Sequence, residues 1–284
     1  MEATQKRQNP FERKETTDRA EAPTDIERKG DFANYDISDA TAENLRSHGY
    51  KYLFPIQQAT YTDIYEGSDL IGRDRTGSGK TLAFALPLVE RLRAKGGAFT
   101  NKRGQRPLIL AMVPTRELAI QVTKEFEKLR NTHSEFRVLS VYGGTDIGEQ
   151  ILKLRSGVEV VIGTPGRIMD LQERRELVFA DLRALILDET DQMLNIGFQD
   201  DIERILATIK TDIAERGRVM DDIQVLLFSA TIPRWVEKIA QRFMKRDLVR
   251  ADMIKNSSVK TSTTVEHYCI SFPNKDQKIS AIGD

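Results

Sequence analysis

The sequence predicts an α/β domain in which a parallel sheet is covered by helices on both faces, and three observations predict it. Short apolar runs rich in Val, Ile and Leu, without strict polar alternation, recur along the chain, as strands buried on both faces do. Between them lie amphipathic stretches such as "RELAIQVTKEFEKLR" (116–130), whose apolar residues recur every three and four positions. Strand and helix signals alternate without hairpin turns, the pattern of strands joined by helical crossovers.

The elements follow in order. Between Glu2 and Arg28 the only large apolar residues are Phe11 and Ile26, amid mixed charge, so residues 1–29 are expected to be a disordered tail. From Phe32 the composition changes, and residues 30–255 are expected to form the domain. Its strand signals are "DLIG" (69–72), "PLILAMV" (107–113), "FRVLSVYG" (136–143), "VEVVIGT" (158–164), "LRALILDE" (182–189) and "IQVLLFSA" (223–230). Residues 256–284 are expected to be a linker and the start of something further.

Composition bounds the function classes. Hydrophobic residues at 39% and charged residues at 30% suit a soluble protein able to bury a core. Lys plus Arg and Asp plus Glu stand at 43 each, so any nucleic-acid binding must come from placed groups and not from a general basic field. The single cysteine, Cys269, excludes an internal disulfide framework and a cysteine-cluster zinc site. The longest apolar stretch, Leu82 to Val89, is far short of a membrane span and contains Pro87, so no membrane partner is expected. The N-terminus lacks the apolar segment of a secretory signal, and a monomer is expected.

In such a sheet ligands sit outside the carboxyl ends of the strands, and polar, Gly-rich or paired-carboxylate clusters follow all six runs. After "DLIG" comes Thr76-Gly77-Ser78-Gly79-Lys80-Thr81. Its glycines let consecutive backbone N–H groups converge on a phosphate at a helix N-terminus, Lys80 reaches the β and γ oxygens, and the Thr81 hydroxyl binds Mg²⁺. The plain alternative is a Gly-rich strand-to-helix turn. Asp74 occupies the first pattern position, where Gly or Ala is usual, and flanking Arg73 and Arg75 are placed to neutralise it. After the most apolar run comes Asp188-Glu189-Thr190-Asp191. Asp188 is placed to hold Mg²⁺ through water and Glu189 to orient or deprotonate an attacking water, the plain alternative being a solvated acidic turn. A phosphate loop opening the sheet and an acidic strand end later in it together indicate a nucleoside triphosphatase.

From Phe32 to Asp284 the sequence resembles the DEAD-box RNA helicases of helicase superfamily 2, whose motifs appear in family order. "GYKYLFPIQ" (49–57) is similar to the Q motif, with Phe32 as the upstream aromatic, and "RTGSGKT" to motif I. "PTRELA" (114–119) resembles motif Ia, Gly143-Gly144 the GG motif, "TPGR" (164–167) motif Ib, "DETD" the family box with Thr190 in its variable third place, and "SAT" (229–231) motif III. The "LFPIQ" ending, with Leu53 in place of the usual Pro, together with "LDETDQMLNIGF" and "TVEH", is similar to nucleolar helicases of the Gu type, which implies a nuclear, nucleolar location.

The resemblance implies a RecA-like P-loop NTPase domain with ATP and Mg²⁺ as cofactors. The amide of Gln57 would meet the adenine edge and Phe32 would stack on the ring. Arg75, Thr76, Gly77, Ser78, Gly79, Lys80, Thr81 and Asp191 complete the nucleotide-binding set, with Thr81 and Asp188 for the metal. Lys80, Asp188, Glu189, Ser229 and Thr231 are the catalytic set, Ser229 and Thr231 linking the nucleotide site to the RNA surface through hydrogen bonds to the acidic box. Pro114, Thr115, Arg116, Gly143, Gly144, Thr164, Pro165, Gly166 and Arg167 match RNA-contacting positions, which read the backbone and not the bases. For each alone, a helix cap or an exposed arginine is the plain alternative.

A family motor also carries a second RecA-like domain with a His-Arg-x-Gly-Arg-x-Gly-Arg run, and nothing in this sequence matches that run. "VEHYCISF" (265–272) reads as the first strand of that domain. The expectation is a half motor that binds ATP but barely hydrolyses it, since arginine fingers contribute on the order of 10³ to 10⁵ in rate. Two other readings compete: a scaffold in which Asp74 disables phosphate binding, and a DNA-directed motor of the same superfamily, which the Q motif and "PTRELA" disfavour.

Overall fold

The computed structural model describes residues 23–95, 99, 102–131 and 135–255. The expected linker, the strand at 265–272, Cys269 and most of the N-terminal tail lie outside them. Strands β1 (Leu70–Arg73), β2 (Ile109–Met112), β3 (Val138–Val141), β4 (Val160–Gly163), β5 (Ala184–Leu187), β6 (Gln224–Ser229) and β7 (Val249–Asp252) form one sheet in the order β3-β4-β2-β5-β6-β1-β7. Every pairing is parallel.

Each inner strand buries both faces. Along β5, Ala184 and Ile186 enter one apolar core while Leu185 and Leu187 enter the other. Helices α2 (Asp39–Ser47), α3 (Pro55–Glu66), α4 (Lys80–Ala94) and α5 (Arg116–Lys128) cover the first face, which also receives Phe84 and Phe228. Helices α6 (Ile147–Ser156), α7 (Pro165–Glu173), α8 (Thr190–Ile196), α9 (Gln199–Ala214) and α10 (Arg234–Phe243) cover the second. The α/β class with helices on both faces is therefore the observed one.

The structure departs from expectation at both borders. The stretch expected to be disordered through residue 29 ends in a short helix, α1 (Asp25–Lys29), closed by a capping box between Thr24 and Glu27. A seventh strand, β7, adds beside β1 without an apolar run, because an edge strand needs only partial burial.

Strand order sorts the chemistry. The neighbours β5, β6 and β1 end in the acidic box, in Ser229-Ala230-Thr231 and in the Gly-rich loop, while β3, β4 and β2 end in the GG, "TPGR" and "PTRELA" turns. Two groups of motif turns thus lie side by side along one end of the sheet, meeting between β2 and β5, whose register pairs Met112 with Leu187.

Candidate nucleotide site and RNA surface

The Gly-rich loop leaves β1 and ends at Gly79, the N-cap of α4, with Gly77 (φ 79°) and Gly79 (φ 90°) both in the left-handed region that glycine enters without strain. Among the described residues no backbone carbonyl takes the N–H of Gly77 or Gly79, the Thr76-Gly77 turn brings the Ser78 N–H toward the Arg75 carbonyl, and the Ser78 hydroxyl is buried without a partner. Lys80, buried at 6% exposure, donates to the carbonyl of Asp74 at 3.1 Å. The Asp74 carboxylate is occupied locally, accepting from the Arg75 N–H at 2.8 Å.

A cleft of about 310 Å³ runs from this loop to α5. Thr76, Gly77, Gly79, Lys80, Thr81, Asp188, Glu189 and Gln57 line it, as do Tyr50, Phe54 and Glu125. Gln57 is held by both ends: Oε1 accepts from the Phe54 N–H at 2.7 Å, and Nε2 donates to the Gly79 carbonyl at 3.0 Å. One N–H and one lone pair of that amide are left over for a ligand.

Phe32 is not brought to this cleft. Its ring is 2% exposed within the core, with the Arg46 guanidinium 5.4 Å above it, so in this conformation it presents no face to a base. The exposed aromatic at the cleft is Phe54, which sequence reasoning passed over as part of the Q motif's approach. Arg75, Ser78 and Asp191 also stand outside the lining of the cleft.

The acidic strand end is buried and strained. Asp188 is 2% exposed; burial pushes its carboxyl up to about 6, with Lys80 opposing that rise and Glu189 adding to it. Its Oδ1 accepts from the Glu189 N–H at 2.9 Å. Glu189 sits at φ 49°, ψ 48°, a left-handed conformation that costs a non-glycine residue roughly 1–2 kcal/mol. Such outliers gather where geometry serves function. The Thr190 hydroxyl, in the place the sequence marked as variable, lies 3.1 Å from the Leu187 carbonyl and 3.2 Å from that of Phe228, stitching β5 to β6.

Asp191 joins the box to the next strand end. Its Oδ2 accepts from the Thr231 hydroxyl at 2.9 Å and the Thr231 N–H at 3.0 Å, while its own N–H donates to the Ser229 Oγ at 3.2 Å. Burial works to raise the Asp191 carboxyl, but the contacts with the Thr231 and Ser229 hydroxyls outweigh it and hold the group below its usual range. Arg73 reaches the same strand end, donating to the Ala230 carbonyl at 3.3 Å and pairing with Asp252 at 3.2 Å.

On the other half of the sheet, Thr115 caps α5 through the Leu118 N–H at 3.2 Å, Pro114 is buried beneath it, and Arg116 is exposed. Thr164 is the N-cap of α7 with Pro165 at its first turn, yet its hydroxyl makes no capping bond. Arg167 donates to the Thr145 carbonyl at 3.2 Å, and its Nη1 is buried without a partner. A Cβ added at Gly143 or Gly166 would meet open space, so the backbone there is free to be approached closely.

The profile described as DEAD/DEAH box helicase matches residues 54–239. The chain belongs to the DEAD/DEAH box helicase family. It is 42% identical over 277 residues to the nucleolar RNA helicase 2 of Rattus norvegicus, covering 98% of this chain and 34% of that protein. Similarity to the human ATP-dependent RNA helicase DDX50 is 42% over 265 residues, covering 93% of this chain and 34% of the relative. The chain thus spans about a third of the length of these helicases. In three dimensions it is similar to a DEAD box protein of Methanococcus jannaschii, with a TM-score of 0.66 and 33% identity, over 78% of this chain and 56% of that one. No helix among the described residues is long and apolar enough to cross a membrane.

Proposed function

We propose that this chain is the ATP-binding, N-terminal RecA-like half of an ATP-dependent RNA helicase. The observation that carries the nucleotide part is the Gly-rich loop, where the Gly77 and Gly79 N–H groups and the Ser78 hydroxyl, without partners among the described residues, sit at the N-terminus of α4 beside Lys80. A helix N-terminus with free N–H groups and a positive dipole end favours phosphate, and a buried ammonium at the same place adds charge.

ATP is the nucleotide of choice because Gln57 keeps one donor and one acceptor for an adenine edge. Thr81 and Asp188 offer oxygen donors to the same cleft, the donor type Mg²⁺ takes, and would hold that ion together with phosphate oxygens and water. When bound, the ion would neutralise charge on the transferred phosphoryl group. Glu189, at the edge of the cleft, orients the attacking water and accepts its proton. Asp191, Ser229 and Thr231 report the state of this site to the neighbouring turns.

RNA lies across the β3-β4-β2 end, where Thr115, Arg116, Gly143, Gly144, Thr164, Gly166 and Arg167 present backbone and guanidinium groups to phosphates, without reading sequence. Unwinding and fast turnover would require a second RecA-like domain that supplies arginines. A nucleolar location is proposed on the names of the relatives. The test is ATP turnover with and without RNA, for this chain and for one extended through a second RecA-like domain, each beside Lys80→Ala. RNA-stimulated, Lys80-dependent turnover in the extended chain supports the reading. No turnover in either leaves an RNA-binding or scaffold protein with a helicase fold.

A further inference from the structure

The three turns assigned to RNA are fastened to one another by residues outside every family motif quoted above. Tyr142, at the end of edge strand β3, packs its ring against the core of the first face. The guanidinium of exposed Arg116 stands over that ring, 5.0 Å from its centroid. Beneath the turn, buried Gln150 of α6 donates from Nε2 to the Tyr142 carbonyl at 3.2 Å and to the Thr145 hydroxyl at 2.7 Å. The Thr145 hydroxyl donates to the Tyr142 carbonyl at 3.2 Å, and Arg167 takes the Thr145 carbonyl. Gly144, at φ 80°, takes the left-handed turn that glycine enters without strain, and a Cβ there would lie 3.9 Å from Arg116 Nη1, in ordinary contact.

An arginine on an exposed helix turn has many rotamers, and each must be given up when it meets a phosphate. A half-buried ring beneath the guanidinium removes much of that freedom beforehand, and it does so without consuming the N–H donors that face outward. Gln150 fixes the ring by fixing its backbone. We propose that Tyr142 and Gln150 are positioning residues for RNA backbone binding, Tyr142 presetting Arg116 and Gln150 locking the turn that carries both Tyr142 and the two glycines. This rests on the reading that Arg116 contacts RNA.

The experiment is a titration of the full chain with fluorescein-labelled oligouridine at low salt, followed by anisotropy, with binding of a non-hydrolysable ATP analogue and the melting temperature measured in parallel. Tyr142→Leu should weaken RNA binding about threefold to tenfold while leaving the analogue's affinity unchanged. Tyr142→Phe, which keeps the ring, should bind RNA as the parent does. Gln150→Leu should lose RNA affinity in the same direction. On an Arg116→Ala background, Tyr142→Leu should have no further effect, since its whole contribution passes through Arg116. If Arg116→Ala itself leaves RNA affinity unchanged, the assignment of this surface to RNA is what fails. If Arg116→Ala weakens binding but Tyr142→Leu does not, or the two effects add, or Tyr142→Phe is as poor as Tyr142→Leu, the positioning role is overturned. The Tyr142 variants keep the test decisive even if Gln150→Leu does not fold.

Discussion

The ammonium of Lys80 donates to the main-chain carbonyl of Asp74 at 3.1 Å, so the residue whose side chain departs from the usual phosphate-loop pattern holds the lysine proposed to bind phosphate with its backbone. The Asp74 carboxylate meanwhile turns onto the Arg75 N–H. Asp74→Ala therefore keeps the lysine contact, and its ATP affinity should stay within about threefold of the parent in a calorimetric titration, since a partly exposed charge contributes only on the order of 1 kcal/mol or less. A gain above tenfold would mean that the carboxylate repels phosphate and that the site is damaged by design of its sequence.

Glu189, proposed above to orient the attacking water, is also strained, at φ 49°. Glu189→Gly relieves a left-handed conformation and should leave stability unchanged or raise it by up to about 1 kcal/mol in chemical denaturation. The same substitution, and Glu189→Gln, should abolish turnover in a chain extended through a second RecA-like domain while preserving ATP binding. A loss of stability in the glycine variant would show that the Glu189 side chain supports the fold.

Gly72 sits where a Cβ would stand 2.5 Å from the Phe228 ring of the adjoining strand. Gly72→Ala should destabilise the domain by about 1–3 kcal/mol through overpacking, and Phe228→Leu in the same chain should recover part of it. Thermal melts of the two single variants and the double variant would read this directly; additive losses would contradict it.

Asp191 supplies a pH signature. Its folded carboxyl lies below the ordinary 3.8, so ionised Asp191 contributes stability that is fully present above the ordinary value and is lost as pH falls through the lower folded one. Thr231→Val removes the hydroxyl donor and should move the Asp191 titration, followed by carboxyl carbon NMR, upward toward 3.8. The stability difference from the parent should be largest above about pH 4 and shrink below it. An unmoved titration would mean that the Ser229 hydroxyl and the backbone N–H donors set the carboxylate without the Thr231 hydroxyl.

The sheet and the motif positions were legible because strands buried on both faces must be continuous apolar runs, and their carboxyl ends carry the ligands. Strand β7, "VRAD", was not legible, since an edge strand beside β1 needs no such run. Helix α1 did leave a signal, Thr24-Asp25-Ile26-Glu27 being a capping-box pattern, but the surrounding charge hid it. Phe32 was legible as an aromatic at a family position, yet spacing carries no information about burial, and the ring lies under Arg46 instead of facing the cleft. Thr190, Tyr142 and Gln150 act through a pair of hydrogen bonds or one stacked contact across the fold, which no linear pattern encodes.

Calorimetric titration of the chain with ATP and Mg²⁺, beside Lys80→Ala, tests the central claim most directly. The account predicts saturable binding by the parent and a loss of about tenfold to a hundredfold in the variant, the weight of a charge-assisted phosphate contact. No binding by the parent, or equal binding by both, would contradict a working nucleotide site in the loop that opens this sheet.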